Sequence, residues 1–340
     1  MADRSEALAQ WARREAGVAA GDWQIVSGDA SFRRYFRLRD GKRSWIAVDA
    51  PPERENAGHF VALSNALRER GLPTPAVYAA DLNQGFLLLE DFGDSLLLAK
   101  LTPQSVAGLY GDAMNLLAQW QAIAELPVSL PRYEPARLKQ EMELFPSWLL
   151  ERHLQRPFEP AEQQQYERVM HLLLANASAQ PFVLCHRDFH SRNLMLRPGF
   201  AVPGLIDFQD AVWGPVTYDL VSLLRDCYIE WPATQVRDWA LKYRDRYVGA
   251  GGHAVDDATW LRWFDWMGLQ RHLKVLGIFA RLHYRDGKRG YLADLPLTLR
   301  YCINVAEQYD ELQAFAVWLR QQVASRLDAT GQVKLREIHS

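Results

Sequence analysis

The chain has 340 residues, which is long for one simple module and predicts two lobes or domains. It is 49% hydrophobic and 24% charged with a formal net charge of -2, the balance of a globular protein, with no global charge that would attract nucleic acid or an acidic membrane. The 3 cysteines form no CxxC pair, no apolar run is long enough to cross a bilayer, and no secretory signal opens the chain, so we expect a cytoplasmic protein without a zinc or disulfide framework.

The part of the chain up to residue 92 is predicted to be a small sheet with helices packed on it. Apolar spacing predicts a helix over 3–17 and another over 56–70, which stops at Gly71. Strand patterns cover 23–26, 35–38, 44–48 and 86–89, with a polar turn over 27–31.

The remainder is predicted to be mostly helical. Helical spacing covers 102–123, 137–154, 161–177, 233–248, 259–284 and 297–326. Short apolar runs predict strands over 182–185, 194–196 and 205–208. The sequence therefore predicts an α+β fold with a small sheet-plus-helix N-terminal lobe over 1–92 and a mostly helical C-terminal lobe over 94–340.

The stretch VLCHRDFHSRNLML, followed by GLIDFQD, carries the strongest chemical signal. His186, Asp188 and Asn193 fit the pattern HxDxxxxN, and Asp207 ends the next predicted strand. Phosphoryl transfer needs these residue types, because one carboxylate accepts the proton of the attacking hydroxyl while an amide and a second carboxylate hold Mg²⁺. The alternative is a loop acid, a turn residue and a strand-end cap without a shared role, which the full set in strand–loop–strand order disfavours.

On these motifs the chain resembles the aminoglycoside phosphotransferase and choline kinase superfamily, relatives of the protein kinases, over nearly its whole length. The resemblance implies a bilobal protein-kinase-like fold and an enzyme that uses ATP and Mg²⁺. It implies Asp188 as the catalytic base and Asn193 and Asp207 as ligands of Mg²⁺. It also implies a hinge near 90–93, where the backbone of Glu90 to Phe92 meets adenine.

The resemblance further implies that His186 and Asp219 brace the catalytic loop. Asp219 lies in GPVTYDL, and an equally weighted interpretation, compatible with the bracing role, is a simple N-cap for a helix that begins near Leu220. GPVTYDL follows Asp207 almost at once, so the chain has no room for an activation loop. No APE triplet follows either, and both observations argue against protein substrates.

The predicted phosphate-binding loop of the small lobe departs from the kinase pattern. SGDASFRRYF carries only Gly28 as a glycine and is weak as a Gly-rich motif, but the small Ala30 and Ser31 could still let backbone amides approach phosphates. The third strand has Asp49 where kinases place a lysine. We expect Arg33 or Arg34 to supply the missing charge, since their strand follows the loop directly; the alternative is that both are solvated turn charges.

The predicted acceptor side of the large lobe is basic. Arg271, Lys274 and Arg281 fall on one stripe of the helix over 259–284, which is either a solvated face or a wall that attracts a substrate carboxylate or phosphate. His272 lies among apolar residues of the same helix and is interpreted as a buried structural histidine.

Four segments resemble the sequences of a bacterial branch of amino-sugar kinases: SFRRYFRL, VDAPPEREN, LLLEDFGD and LKVLGIFARLHYRDGKRGYLADLP. That resemblance implies ATP-dependent phosphorylation of the anomeric hydroxyl of N-acetylmuramate and N-acetylglucosamine in peptidoglycan recycling. Two alternatives stay open: a kinase of another small hydroxyl compound, such as an aminoglycoside, a choline-like alcohol or a homoserine-like metabolite, and a nucleotide-binding pseudokinase that regulates a partner. Partners are expected to be ATP and a small acceptor, with no nucleic acid, membrane or obligate protein partner.

Overall fold

A computed structural model describes residues 4–28 and 32–329 of the chain. The strands in chain order are Asp22–Gly28 (β1), Arg34–Asp40 (β2), Arg43–Asp49 (β3), Val77–Asp81 (β4), Phe86–Glu90 (β5), Phe182–Cys185 (β6), Leu194–Met195 (β7), Gly204–Leu205 (β8) and Val212–Pro215 (β9). The helices are Arg4–Ala16 (α1), Ala57–Glu69 (α2), Val106–Gln121 (α3), Pro135–Met142 (α4), Pro160–Ser178 (α5), Tyr218–Leu224 (α6), Ala233–Gly249 (α7), Asp257–Tyr284 (α8), Leu295–Ala306 (α9), Gln313–Trp318 (α10) and Ser325–Ala329 (α11). The helices are joined by short 3₁₀ segments over Leu97–Lys100, Arg289–Asp294 and Asp310–Leu312 and by π-helical turns over Phe145–His153 and Leu319–Ala324.

The chain divides into two compact units, one comprising residues 1–130 and 192–210 and the other residues 131–191 and 211–340. The first unit is built on a five-stranded antiparallel sheet in the order β1-β2-β3-β5-β4, and the second is mostly helical. The α+β fold class that the sequence predicts is confirmed, while a hinge near 90–93 stays a prediction.

The sheet of the first unit is covered by α1. The apolar side chains of Leu8, Trp11 and Ala12 on this helix form a cluster with Leu38 and Phe86 of the sheet. Burial of such side chains contributes about 1.5–3 kcal/mol each. Consecutive residues are buried over Phe86 to Leu89 in β5 and over Ala47 to Asp49 in β3, so both faces of these strands are covered there. The strands predicted over 44–48 and 86–89 are confirmed.

The second unit is organised around α8, whose 28 residues are buried over most of their length. Asp256 caps its first turn by accepting the backbone N–H of Thr259 at 2.9 Å. Near its other end Gly277 faces the backbone of Leu144, and a Cβ at this glycine would come within 2.3 Å of the Leu144 carbonyl carbon. The absence of a side chain at Gly277 therefore lets α8 pack directly against the backbone at Leu144.

Three predicted helices differ from the structure. The helix predicted from residue 102 begins at Val106, because Thr102 and Ser105 exchange side-chain and backbone hydrogen bonds in a separate turn. The helix predicted over 137–154 is α4 followed by a π-helical segment that contains Pro146, which has no N–H for a regular ladder. The single helix predicted over 297–326 is divided at residues 307–312.

The sequence does not predict two of the strands, and the strands predicted over 194–196 and 205–208 are shorter than expected. β4 pairs with β5, and β9 pairs with β6, although their short sequences carry little alternation. The strand predicted over 205–208 ends at Leu205, because Asp207 adopts a left-handed backbone conformation with φ of 64°. Among the described residues, no helix is long and apolar enough to cross a membrane.

Candidate active site

Asn193 and Asp207 lie together in the first unit, on either side of the β7–β8 hairpin. The Asn193 Nδ2 atom is 3.4 Å from Asp207 Oδ2, and the Ile206 N–H donates to the Asn193 carbonyl at 3.1 Å. The left-handed conformation of Asp207 is costly for a residue with a Cβ and is found most often where a functional group must be aimed. The hairpin therefore holds an amide and a carboxylate side by side, as the sequence leads one to expect.

The hairpin is fixed to the segment that follows β5. The Leu196 N–H donates to the Ser95 carbonyl at 2.7 Å, and the Leu205 N–H donates to the Pro73 carbonyl at 2.9 Å. Gly204 is needed here, because a Cβ would come within 2.6 Å of the Phe92 ring. Phe208, which follows Asp207 in the chain, is fully buried, and its ring stacks on that of Phe60 with 5.0 Å between the ring centroids.

Asp188 lies in the second unit, on a loop that is held at both ends by buried carboxylates. At the start of the loop, Asp219 accepts the backbone N–H groups of His186 at 2.6 Å and Arg187 at 2.9 Å. At its end, Asp226 accepts the backbone N–H of Ser191 at 2.9 Å. Two anchors of this kind restrict the backbone on either side of Asp188.

Asp219 is therefore not a helix cap, and that alternative interpretation is wrong. The N-cap of α6 is Thr217, whereas Asp219 lies in the first turn and is fully buried. Burial raises the pKa of Asp219 to about 7, and the two N–H donors offset only part of this rise. His186 is also fully buried, and its Nδ1 is 3.3 Å from the backbone nitrogen of Asp188.

The carboxylate of Asp188 is surrounded by cations of its own unit. Burial alone would raise its pKa, but Lys274, His190 and Arg271 more than offset this effect, and the pKa falls to about 2. Asp188 is consequently ionised at neutral pH. A carboxylate that is always charged can accept a hydrogen bond from a hydroxyl group throughout the physiological range.

One of these cations belongs to a buried cluster centred on Glu141. Glu141 accepts Arg187 Nη2 at 2.7 Å, pairs with Lys274 Nζ at 3.2 Å and accepts the hydroxyl of Tyr133, while Lys274 also donates to the hydroxyl of Tyr218 at 3.0 Å. Arg187 has φ of 76°, one of the positive values that non-glycine residues show in the described ranges. The Glu141 cluster (Glu141, Arg187, Lys274, Tyr133 and Tyr218) therefore holds a strained residue directly before Asp188.

The basic stripe of α8 is not a solvated face at Arg271 and Lys274, and for these two residues that alternative is wrong. Arg271 and Lys274 are 4% and 6% exposed, although long charged side chains are rarely buried without a partner. Arg271 makes a weak contact in which its Nη1 lies 3.7 Å from the Cys227 sulfur. Arg281 is half-buried, and its Nε has no hydrogen-bond partner within residues 4–28 and 32–329.

The arginines expected to bind phosphate are paired within the first unit. Arg33 lies 2.8 Å from Glu55, and Arg34 lies 2.6 Å from Asp49. Asp49 is fully buried and also pairs with Arg4 of α1, so this carboxylate ties the helix to the sheet. Gly28 ends β1, and Ser31 lies outside the described residues.

The residues expected to form the hinge follow β5. Glu90 accepts the Ala76 N–H at 3.1 Å, and its backbone N–H donates to the Ala76 carbonyl at 2.8 Å. Phe92 is 6% exposed, with Arg197 stacked over its ring at 5.0 Å.

Sequence reasoning missed Asp226, Glu141 and Gln209. Asp226 and Glu141 contact the loop from 35 and 46 residues away, and neither belongs to a motif. Gln209 stands two residues after Asp207 and donates from Nε2 to its Oδ1 at 2.7 Å. Its position inside GLIDFQD was the only sequence signal for any of the three.

Comparison with known proteins relates the chain to phosphotransferases. The family model described as the phosphotransferase enzyme family matches residues 22–260. A Pseudomonas putida protein named N-acetylmuramate/N-acetylglucosamine kinase is 43% identical over 87% of this chain and 86% of its own length. A protein of the same name from Neisseria meningitidis is 38% identical over 91% of this chain and 93% of its own.

Solved structures share the fold at low sequence identity. Choline kinase LicA from Streptococcus pneumoniae superposes with a TM-score of 0.63 at 13% identity, covering 92% of this chain and 100% of that one. The ADP-bound aminoglycoside phosphotransferase APH(2'')-Ib superposes with a TM-score of 0.58 at 15% identity, covering 86% and 96%. These likenesses concern the fold alone.

Proposed function

The chain belongs to the phosphotransferase enzyme family, and from that premise we propose that it is an ATP-dependent kinase of N-acetylmuramate and N-acetylglucosamine that phosphorylates their anomeric hydroxyl. The main support for this choice of acceptor is the sequence identity of 38–43% with proteins named N-acetylmuramate/N-acetylglucosamine kinase, over most of both chains. The cationic surroundings of Asp188 support it, since they suit an acceptor that bears a carboxylate better than a polycation.

In the proposed reaction the anomeric oxygen forms a bond to the γ-phosphorus of ATP while the bond from that phosphorus to the bridging oxygen breaks. The products are ADP and the sugar 1-phosphate, and the proton of the hydroxyl passes to Asp188. A carboxylate with a pKa of about 2 is a weak base, which suits a loose transition state in which the hydroxyl is oriented first and loses its proton late.

Asn193 and Asp207 would hold Mg²⁺, because together they offer the oxygen ligands that this ion prefers. When bound, the ion would supply positive charge next to the phosphates of ATP. Glu90 and Phe92 would meet the adenine, and the backbone near Gly28 and Ser31 would approach the phosphates. Arg33 and Arg34 remain proposed phosphate contacts, which would require them to leave Glu55 and Asp49 when ATP binds.

A panel of acceptors tests the function. We expect ATP and Mg²⁺ with N-acetylmuramate or N-acetylglucosamine to release ADP, and phosphorus NMR of the product to show coupling to the anomeric proton. Choline, homoserine and an aminoglycoside serve as comparison acceptors. Turnover of one of these in place of the amino sugars would favour the alternative kinase, and no Mg²⁺-dependent ADP release with any acceptor would favour a pseudokinase.

We propose that Arg271 and Arg281 attract the lactyl carboxylate of N-acetylmuramate, which N-acetylglucosamine lacks. Lys274 contributes its charge, although its ammonium group is bonded to Glu141 and Tyr218. The weak sulfur contact of Arg271 and the unpaired Nε of Arg281, as far as the described residues show, support this role.

The substitution Arg271→Gln is therefore expected to lower kcat/KM for N-acetylmuramate by about 10- to 100-fold, the range of a lost charge-assisted hydrogen bond. The effect on N-acetylglucosamine should be several-fold smaller, and the ratio of the two kcat/KM values is the measurement. Arg262→Gln, on the same helix but paired with Glu311, is the control. An equal loss for both acceptors would contradict the assignment.

A further inference from the structure

The side chain of Gln209 combines a satisfied amide N–H with an unsatisfied buried oxygen. Its Nε2 donates to Asp207 Oδ1 at 2.7 Å. Its Oε1 is buried and has no hydrogen-bond partner in the described part of the chain. A buried carbonyl oxygen without a partner costs about 1–3 kcal/mol, and native proteins rarely keep one without an ion, a water or a function to explain it.

The oxygen lies in a well-fixed part of the first unit. Phe208, the residue between Asp207 and Gln209, is fully buried and stacks on Phe60 at 5.0 Å. Asp207 is held by Gln209 on one carboxylate oxygen and lies 3.4 Å from the Asn193 amide on the other. The three side chains therefore form one cluster within residues 192–210.

The composition of this cluster is informative about cation binding. No group of three or more His, Cys, Asp or Glu side chains among residues 4–28 and 32–329 is arranged to hold a metal ion. Asp207 is the one carboxylate among Asn193, Asp207 and Gln209, and the other two side chains of this cluster offer neutral amide oxygens to a hard divalent cation. Amide carbonyl groups are ligands of that kind.

We propose that Gln209 is a third residue of the divalent-cation site, with its carbonyl oxygen facing the cation directly or through a metal-bound water. The proposal rests on the proposed function, because it needs a cation at Asn193 and Asp207. In this role the N–H of Gln209 orients the Asp207 carboxylate, and its oxygen completes the set of ligands. Groups that orient metal ligands are worth about 10- to 100-fold in metal affinity.

Manganese binding tests the proposal without using turnover. Mn²⁺ affinity of the full chain, saturated with ADP, is measured by electron paramagnetic resonance for the wild type and for Gln209→Leu. We expect Gln209→Leu to weaken Mn²⁺ binding by about 10- to 100-fold with an unchanged melting temperature. Gln84→Leu is the matched control, because Gln84 donates to Asp81 at the same 2.7 Å in an exposed turn of the same unit.

A second variant separates a ligand from a merely structural amide. Gln209→Glu keeps an oxygen but loses the N–H donor and places a second negative charge beside Asp207. If the oxygen serves the cation, this variant binds Mn²⁺ more tightly than Gln209→Leu, because it keeps the oxygen although it loses the N–H. If it binds as weakly as Gln209→Leu, or if Gln209→Leu binds like the wild type, the proposal is wrong.

The outcomes also separate this proposal from the proposed function. Mn²⁺ binding by the wild type that Asp207→Asn abolishes, together with no effect of Gln209→Leu, would overturn only the role of Gln209. Absence of Mn²⁺ binding by the ADP-saturated wild type would overturn the proposed cation site itself, and the role of Gln209 with it.

Discussion

Replacement of Asp188 by Ala is expected to lower the turnover number by about 10²- to 10⁴-fold, the usual contribution of a general base. In the proposed mechanism the acceptor hydroxyl would lose the group that orients it and takes its proton. The affinity for ATP should stay within a few-fold of the wild type, since Asp188 is assigned to the acceptor and not to the nucleotide. Turnover is measured at saturating acceptor and ATP, and nucleotide binding is measured by calorimetry.

Asp188→Asn and Asp238→Ala are the controls. Asn keeps the size of the side chain, so a loss shared by Ala and Asn assigns the effect to the charge rather than to a cavity. Asp238 is exposed on α7 of the same unit, and its replacement should change nothing. Turnover close to the wild type in Asp188→Ala would remove Asp188 from the mechanism.

The pH dependence follows from the lowered pKa of Asp188. Because the folded pKa of about 2 lies below the usual value of 3.8, the carboxylate is ionised at every pH above about 3. A fall of kcat/KM between pH 8 and 5 would therefore have to come from another group. The same shift also stabilises the folded chain above pH 4, and this contribution is lost as the pH falls from about 4 to about 2.

The second large effect is expected at Glu141. The substitution Glu141→Leu leaves Lys274 and Arg187 buried without their shared carboxylate, and removing one partner of a buried ion pair costs about 3–5 kcal/mol. We expect the free energy of unfolding in urea to fall by that amount. Turnover should fall as well, because Arg187 directly precedes Asp188 and is held in a strained conformation.

The double variant Glu141→Leu with Lys274→Met removes one of the stranded charges. It should recover part of the lost stability, since uncharged residues of similar volume can replace a buried pair at little cost. Glu143→Leu is the matched control, because Glu143 is exposed and lies 3.9 Å from Lys139. Its effect is expected to stay within about 0.5 kcal/mol. A loss below 1 kcal/mol in Glu141→Leu would show that the cluster is not coupled in this way.

The sequence predicted those parts of the fold that depend on local pattern. α1, α2 and α5 have clear apolar stripes or caps, and the strands around Ala47 and Leu88 are apolar because they are buried on both faces. The breaks near residues 144 and 307 could not be read from spacing. The close approach of Gly277 to Leu144 depends on a contact more than a hundred residues away in sequence.

The residues of the candidate site also fall into those that a local sequence pattern predicts and those that depend on tertiary contacts. Asp188, Asn193 and Asp207 belong to one short motif, so their residue types and spacing were enough to propose roles. Asp226 and Glu141 contact the loop that carries Asp188 only through tertiary structure, and an isolated acid in a sequence gives no sign of its partner. The burial of Arg271 also depends on tertiary packing, because an amphipathic stripe looks the same whether it faces solvent or a neighbouring helix.

The order in which the two units occur along the chain has a consequence for biosynthesis. The first unit consists of residues 1–130 and residues 192–210. The ribosome must therefore synthesise residues 131–191 of the second unit before the β7–β8 hairpin exists. A nascent chain released at residue 130 would lack Leu205, whose N–H donates to the Pro73 carbonyl. The first unit would then lack the β7–β8 hairpin and leave this carbonyl without that donor. Neither unit should therefore be obtainable by simple truncation, and chaperone binding is expected to persist until about residue 210 has left the ribosomal tunnel.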